Sequence, residues 1–122
     1  MPLLANLLTA AVAVQHIYIL HLEMFAWEAK GPVVFRGAMA RDMFAKTTRM
    51  AANQGLYNGF LAAGLVWSLT IVDPLWATRI ATYFLACVSV AGLYGGYSVS
   101  KKIFYVQGLP ALCGLLAVQL AI

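Results

Sequence analysis

Four ionisable side chains fall within the first apolar stretch of this chain: His16, His21, Glu23 and Glu28. Inside a membrane span such groups are costly, and by default they face the interior of a bundle and serve a function. His16 and Glu23 stand seven residues apart and so share one helix face, which Trp27 continues. His21 and Glu28 form a second pair, about 140° further round. Carboxamides mark the other stretches: Asn53, Gln54 and Asn58 open the second, and Gln107 stands near the start of the last. At 1.5 Å per residue, Glu23 lies roughly 10 Å above the cytoplasmic end of its span and Gln107 roughly 6 Å deep. Tyr57, Tyr94 and Tyr97 fall at similar depth. These positions predict one polar cavity open to the cytoplasm. Its ligand- or proton-binding set is Glu23, His16, Asn53, Gln54, Asn58, Gln107, Tyr57 and Tyr94, with Glu23 carrying a proton or contacting a polar ligand. The alternative is that the same groups are interhelical glue, worth about 0.6 kcal/mol per contact. His16 and His21 point to different faces and the thiols lie elsewhere, so neither a metal site nor a cofactor is expected.

The elements that must position these groups follow from composition. Of 122 residues, 63% are hydrophobic and 10% charged, whereas a soluble domain is about half apolar and about a quarter charged. At about 20 residues per span, the length allows four helices in one domain, residues 1–122. The expected spans run from Pro2 to Ala29, Ala51 to Val72, Thr78 to Val99 and Ile103 to Ile122. The fold class is all-α, an integral membrane four-transmembrane-helix bundle. The N-terminal stretch lacks a basic n-region and outlasts a signal-peptide core, so it reads as a retained span. Gly55, Gly59 and Ala63 recur every fourth residue, and Gly92 and Gly96 repeat the pattern, which lets membrane helices approach closely. Asp73-Pro74 suits a tight turn. Pro110 removes a backbone donor and frees the carbonyl of Val106, weakening the turn beside Gln107. Between the first two spans, Met39, Met43 and Met50 share a side near Phe44, as in an amphipathic segment lying on headgroups or serving as a lid.

Charge sets the topology. Lys30, Arg36, Arg41, Lys46 and Arg49 in the first connection, with Lys101 and Lys102 in the third, put seven basic residues on one side; Arg79 stands alone on the other. The positive-inside rule makes the basic side cytoplasmic and both termini extracytoplasmic, in the inner membrane. The basic residues sit between spans and give no nucleic-acid footprint. Cys87 and Cys113 fall inside spans and read as free thiols.

At HIYILHLEMFAWE, NQGLYNGFLAAGLVW and CVSVAGLYGGYSVSKKIFYVQGLPAL the chain resembles the small bacterial membrane proteins grouped as domain-of-unknown-function family 1304. The resemblance covers nearly the whole chain and implies a four-helix integral membrane protein without an assigned activity. His16, Glu23, Asn53, Gln54, Asn58 and Gln107 fall within its signature segments. Members usually have Glu before the histidine; here Gln15 stands there.

The function expected is binding or transport of a small molecule or proton, with the lipid bilayer, a small-molecule ligand and a second copy of the chain as partners. A seven-to-one charge bias argues against an antiparallel, dual-topology dimer. A membrane enzyme acting on a lipophilic substrate is the alternative. Arg49 and Asn53, one turn apart, resemble the arrangement in glutathione-linked membrane enzymes, a likeness of fold alone. No nucleophile–base pair, metal motif or phosphate loop supports catalysis. A partner subunit whose polar cluster is only glue is the third reading.

Overall fold

A computed structural model describes all 122 residues, and every element in it is helical. Helix α1 spans Leu3–Phe25. After a break at Ala26 the chain continues as α2, Trp27–Val34, and then as the single turn α3, Met43–Lys46. Helix α4 is Thr48–Thr70 and α5 is Pro74–Ser98. The last helix, α6, runs over Lys101–Leu120 and contains a π-helical turn at Phe104–Gly108.

Three helices, α1, α5 and α6, are long and apolar enough to cross a membrane. Helix α4 has the length, at 23 residues, but its first half carries Thr48, Arg49, Asn53, Gln54 and Asn58, which lower its apolar character. The four long helices form a ring in which α1 packs on α4 and α6, and α5 packs on the same two. Both chain ends meet at one end of this ring, where the Ala5 amide donates to the Ile122 carbonyl at 3.0 Å.

Small side chains make the ring tight. Five of the ten residues in the central cluster are alanines (Ala5, Ala13, Ala81, Ala111, Ala117), packed with Val12, Leu65, Leu85, Val88 and Val118. Without bulky side chains between them the backbones approach closely, the means by which membrane helices associate when water does not drive them together. Gly55 and Gly59 sit where α4 meets α1: a Cβ on Gly55 would lie 2.7 Å from Met24 and 3.0 Å from Glu23, and one on Gly59 would strike Leu20. Gly92 lies directly against the backbone of Gly108 in α6. Two of the three buried hydroxyls bond within their own helices, Ser68 to the Leu65 carbonyl and Ser89 to that of Leu85, while that of Thr9 has no partner.

Two of the connections differ from expectation. Asp73-Pro74 starts a helix: Asp73 caps α5 by accepting from the Trp76 amide at 2.9 Å, and Pro74 takes the first-turn position where its missing N–H is harmless. α5 therefore begins four residues before Thr78. The first connection is not one amphipathic helix. Gly37, at φ +85°, interrupts it, and an aromatic cluster folds what remains onto α4. Trp27 meets Phe35 and Phe44 at ring-centre distances of 5.5 and 5.0 Å and donates from its indole to Thr47 at 3.0 Å. Phe44 is buried, its ring covering Gly31, while Met43 and Met50 point outward. The arm formed by α2 and the residues after it is thus pinned across the end of the bundle opposite the chain termini.

Candidate functional site

Under that arm lies a cavity of about 150 Å³, enclosed by α1, the residues after α2, and the start of α6. Its construction begins with Pro110. Proline cannot donate to the carbonyl four residues back, so the Val106 oxygen is left without its helical partner, and the backbone over Phe104–Gly108 widens into a π-turn. Gln15 of α1 reaches across and donates from Nε2 to that carbonyl. The other end of the same amide, Oε1, is buried and has no hydrogen-bond partner. Gln107, carried by the π-turn, joins Gln15 in the lining.

The walls are apolar where Ile19, Leu22 and Ile103 line them and Val106 stands at the rim, and cationic where Arg36 and Lys102 stand. Lys102 also ties the roof to α6 by donating from Nζ to the Val34 carbonyl at 2.7 Å. The chain has one ion pair, Lys46 with Asp42, so neither Arg36 nor Lys102 has a carboxylate partner. The arrangement offers amide groups inside, aliphatic walls, and two uncompensated positive charges at the entrance.

The expected single cavity around Glu23 is not what forms. Glu23 is 2% exposed and lies in the contact between α1 and α4, where Asn58 Nδ2 donates to its Oε1 at 2.6 Å. Asn58 also donates to the Gln54 carbonyl one turn back, at 3.2 Å. His16 is buried, at 1% exposure, on the same face of α1, as the spacing predicts. Its Nδ1 lies 2.8 Å from the Val12 carbonyl; since a carbonyl only accepts, that nitrogen carries the proton in this contact. Two helical turns, about 10 Å of rise, separate it from Glu23, so the two form no direct relay.

Asn53, Gln54 and Tyr57 are exposed and line an open depression on α4 with Arg49 and Met50. The helical angle explains why. Taking the buried line through Ala51, Gly55 and Ala62 as reference, Asn58 lies within about 40° of it. Gln54 lies about 80° away, Tyr57 about 140° and Asn53 about 180°. Asn58 alone among these can turn inward. Tyr94 is exposed on the outer face of α5, beside Tyr97. Of the eight expected site residues, the structure therefore joins Glu23 with Asn58, places Gln107 in the separate cavity, and distributes the rest. Gln15, Arg36 and Lys102 belong to that cavity and were not anticipated as site residues; the signal for Gln15 was a polar residue one position before His16, opposite a carbonyl freed by proline. No three His, Cys, Asp or Glu side chains gather where they could hold a metal ion.

The family model described as protein of unknown function (DUF1304) matches residues 10–119. The uncharacterized protein YpaA of Lactococcus lactis is 29% identical over 118 residues, which cover 96% of this chain and 98% of that protein. No solved structure matches.

Proposed function

The chain belongs to the DUF1304 family of proteins of unknown function, and from that premise we propose that it is a single-domain, four-span protein of the bacterial inner membrane that binds a small molecule from the cytoplasmic side, in the cavity beneath the α2 arm. The observation that carries this reading is the lining: two amides, the Ser100 hydroxyl and two cations without a carboxylate partner converge on an otherwise apolar space of about 150 Å³. Such a combination of apolar walls and a few placed polar groups is how small-molecule sites are built. Binding is favoured over passage because the other half of the bundle is close-packed, with Val12, Leu65, Leu85 and Val88 essentially without exposed surface. It is favoured over catalysis because the lining pairs no nucleophile with a base. Glu23 and Asn58 act in this reading as the clamp between α1 and α4, which lets α4 serve as the fourth span despite its polar first half.

Filling the space tests the site. Ala38 lines the cavity from the exposed roof, so Ala38→Trp should leave the bundle folded while displacing what it holds. Native mass spectrometry of gently extracted protein is expected to show a bound small molecule in the wild type and its loss in the variant; the same bound masses in both would overturn the reading.

Orientation has its own test. The arm, Arg36 and Lys102 belong to the side bearing seven of the eight basic residues, and both chain ends lie at the opposite end. With Cys87 and Cys113 replaced, a cysteine at exposed Ala45 should react with a membrane-impermeant thiol reagent only after the cells are opened. Labelling in intact cells would reverse the topology.

A further inference from the structure

We propose that the cavity takes a single-chain anionic lipid with a hydroxyl close to its acid group, of the lysophosphatidic acid class. The acid group is held between Arg36 and Lys102, the hydroxyl faces Gln15, and the chain runs along Ile19 and Val106. The inference rests on the reading of this cavity as a binding site and adds the chemistry of its occupant.

Charge comes first. The chain has four carboxylates, and none faces the mouth. Glu23 is bonded to Asn58, Glu28 accepts from Thr48 Oγ1 at 3.0 Å, Asp42 pairs with Lys46, and Asp73 caps α5 at the far end. Arg36 and Lys102 are therefore an anion site without an internal anion. Gln15 adds a second requirement. One N–H of its amide donates to the Val106 carbonyl, and its buried oxygen has no donor. Leaving a buried acceptor unsatisfied is unfavourable, so a donor is wanted there. A bare anion supplies no proton to it, but a hydroxyl does. Lys102 and Val106, the residue that Gln15 touches, are one helical turn apart, about 6 Å of rise, a spacing that suits a hydroxyl one or two carbons from the acid group.

The third requirement is an apolar tail. Eight of the 13 lining residues are hydrophobic, too many for a small polar anion. The space is too small for a long chain, yet Tyr18 and Val106 flank it at 49% and 43% exposure on the outer faces of α1 and α6. A chain can therefore leave between them into the bilayer.

The test uses full-length protein in a neutral detergent and native mass spectrometry, with three probes: oleoyl lysophosphatidic acid, oleoyl lysophosphatidylcholine and inorganic phosphate. The acid should bind one-to-one and about tenfold or more tighter than the choline lipid, as expected from losing charge-assisted contacts. Inorganic phosphate should not compete with it. An analogue of the acid without the hydroxyl should bind several-fold more weakly. Arg36→Ala/Lys102→Ala should erase the preference while the protein stays folded, with only a small fall in unfolding temperature from the loss of the exposed Lys102–Val34 hydrogen bond. Equal binding of the two lipids, or an unaffected double variant, would overturn the lipid assignment and leave the cavity reading standing. No binding of either lipid would do the same if Ala38→Trp still removes a co-purified ligand. Acid binding that survives Ala38→Trp would overturn both.

Discussion

Gly92→Ala should destabilise the bundle by about 3 kcal/mol, at the upper end of what overpacking costs. A Cβ at this position would run into the backbone nitrogen and Cα of Gly108, which have no rotamer to change, so α5 and α6 must separate. Gly59→Ala is the control. Its Cβ would meet the Cδ1 of Leu20, the far end of a flexible, half-buried side chain that can turn away, and alanine's helix preference of up to about 1 kcal/mol offsets the adjustment. Unfolding in detergent should show a large loss for the first variant and almost none for the second. Equal midpoints would mean that the contact between α5 and α6 yields more readily than a backbone contact should.

The second large effect belongs to Asn58. Asn58→Ala removes the only hydrogen-bond partner of a carboxyl group that is 2% exposed. Leaving a buried charge alone costs about 3–5 kcal/mol and a buried neutral polar group about 1–3. Glu23→Gln retains an acceptor for the Asn58 amide and should cost far less, and it should leave ligand binding intact because Glu23 does not line the cavity. Replacing both residues by leucine removes donor and acceptor together and should recover most of the stability lost by Asn58→Ala. If Asn58→Ala unfolds at the wild-type midpoint, Glu23 is hydrated and the clamp assignment is wrong.

Much of this architecture can be read from the chain. The glycines at 55, 59 and 92 announce close contacts that the structure contains. His16 and Glu23 face inward together, and the disturbance ahead of Pro110 is the π-turn. The candidate site was harder to read because depth and direction are separate quantities. Asn53, Gln54, Asn58, Tyr57 and Tyr94 do lie in the half of the bundle where they were expected, but only Asn58 points toward α1. Counting residues from a span end gives depth; only the angle around the helix gives a neighbour. Arg36 and Lys102 are 66 positions apart in sequence, and what unites them is the fold of the arm. That fold depends on Trp27, Phe35 and Phe44 closing on one another, a tertiary event that no local pattern in the loop encodes.

The π-turn at Phe104–Gly108 also sets the register of everything after it. A π-turn behaves as one residue spliced into an α-helix, so the helix beyond it is advanced by about 100°. Ala111, Gly114, Ala117 and Val118, which now face the core, owe their inward phase to that extra residue. Closing the bulge with all residues kept would rotate this whole seam away from the core, whereas deleting one residue between Phe104 and Gly108 together with the bulge would leave it facing inward. The insertion thus links the two ends of α6. A lineage could lose it by deleting one residue here or by re-patterning the helix downstream, and an alignment of relatives that lack the bulge would need a one-residue gap at this place to keep their buried positions in step.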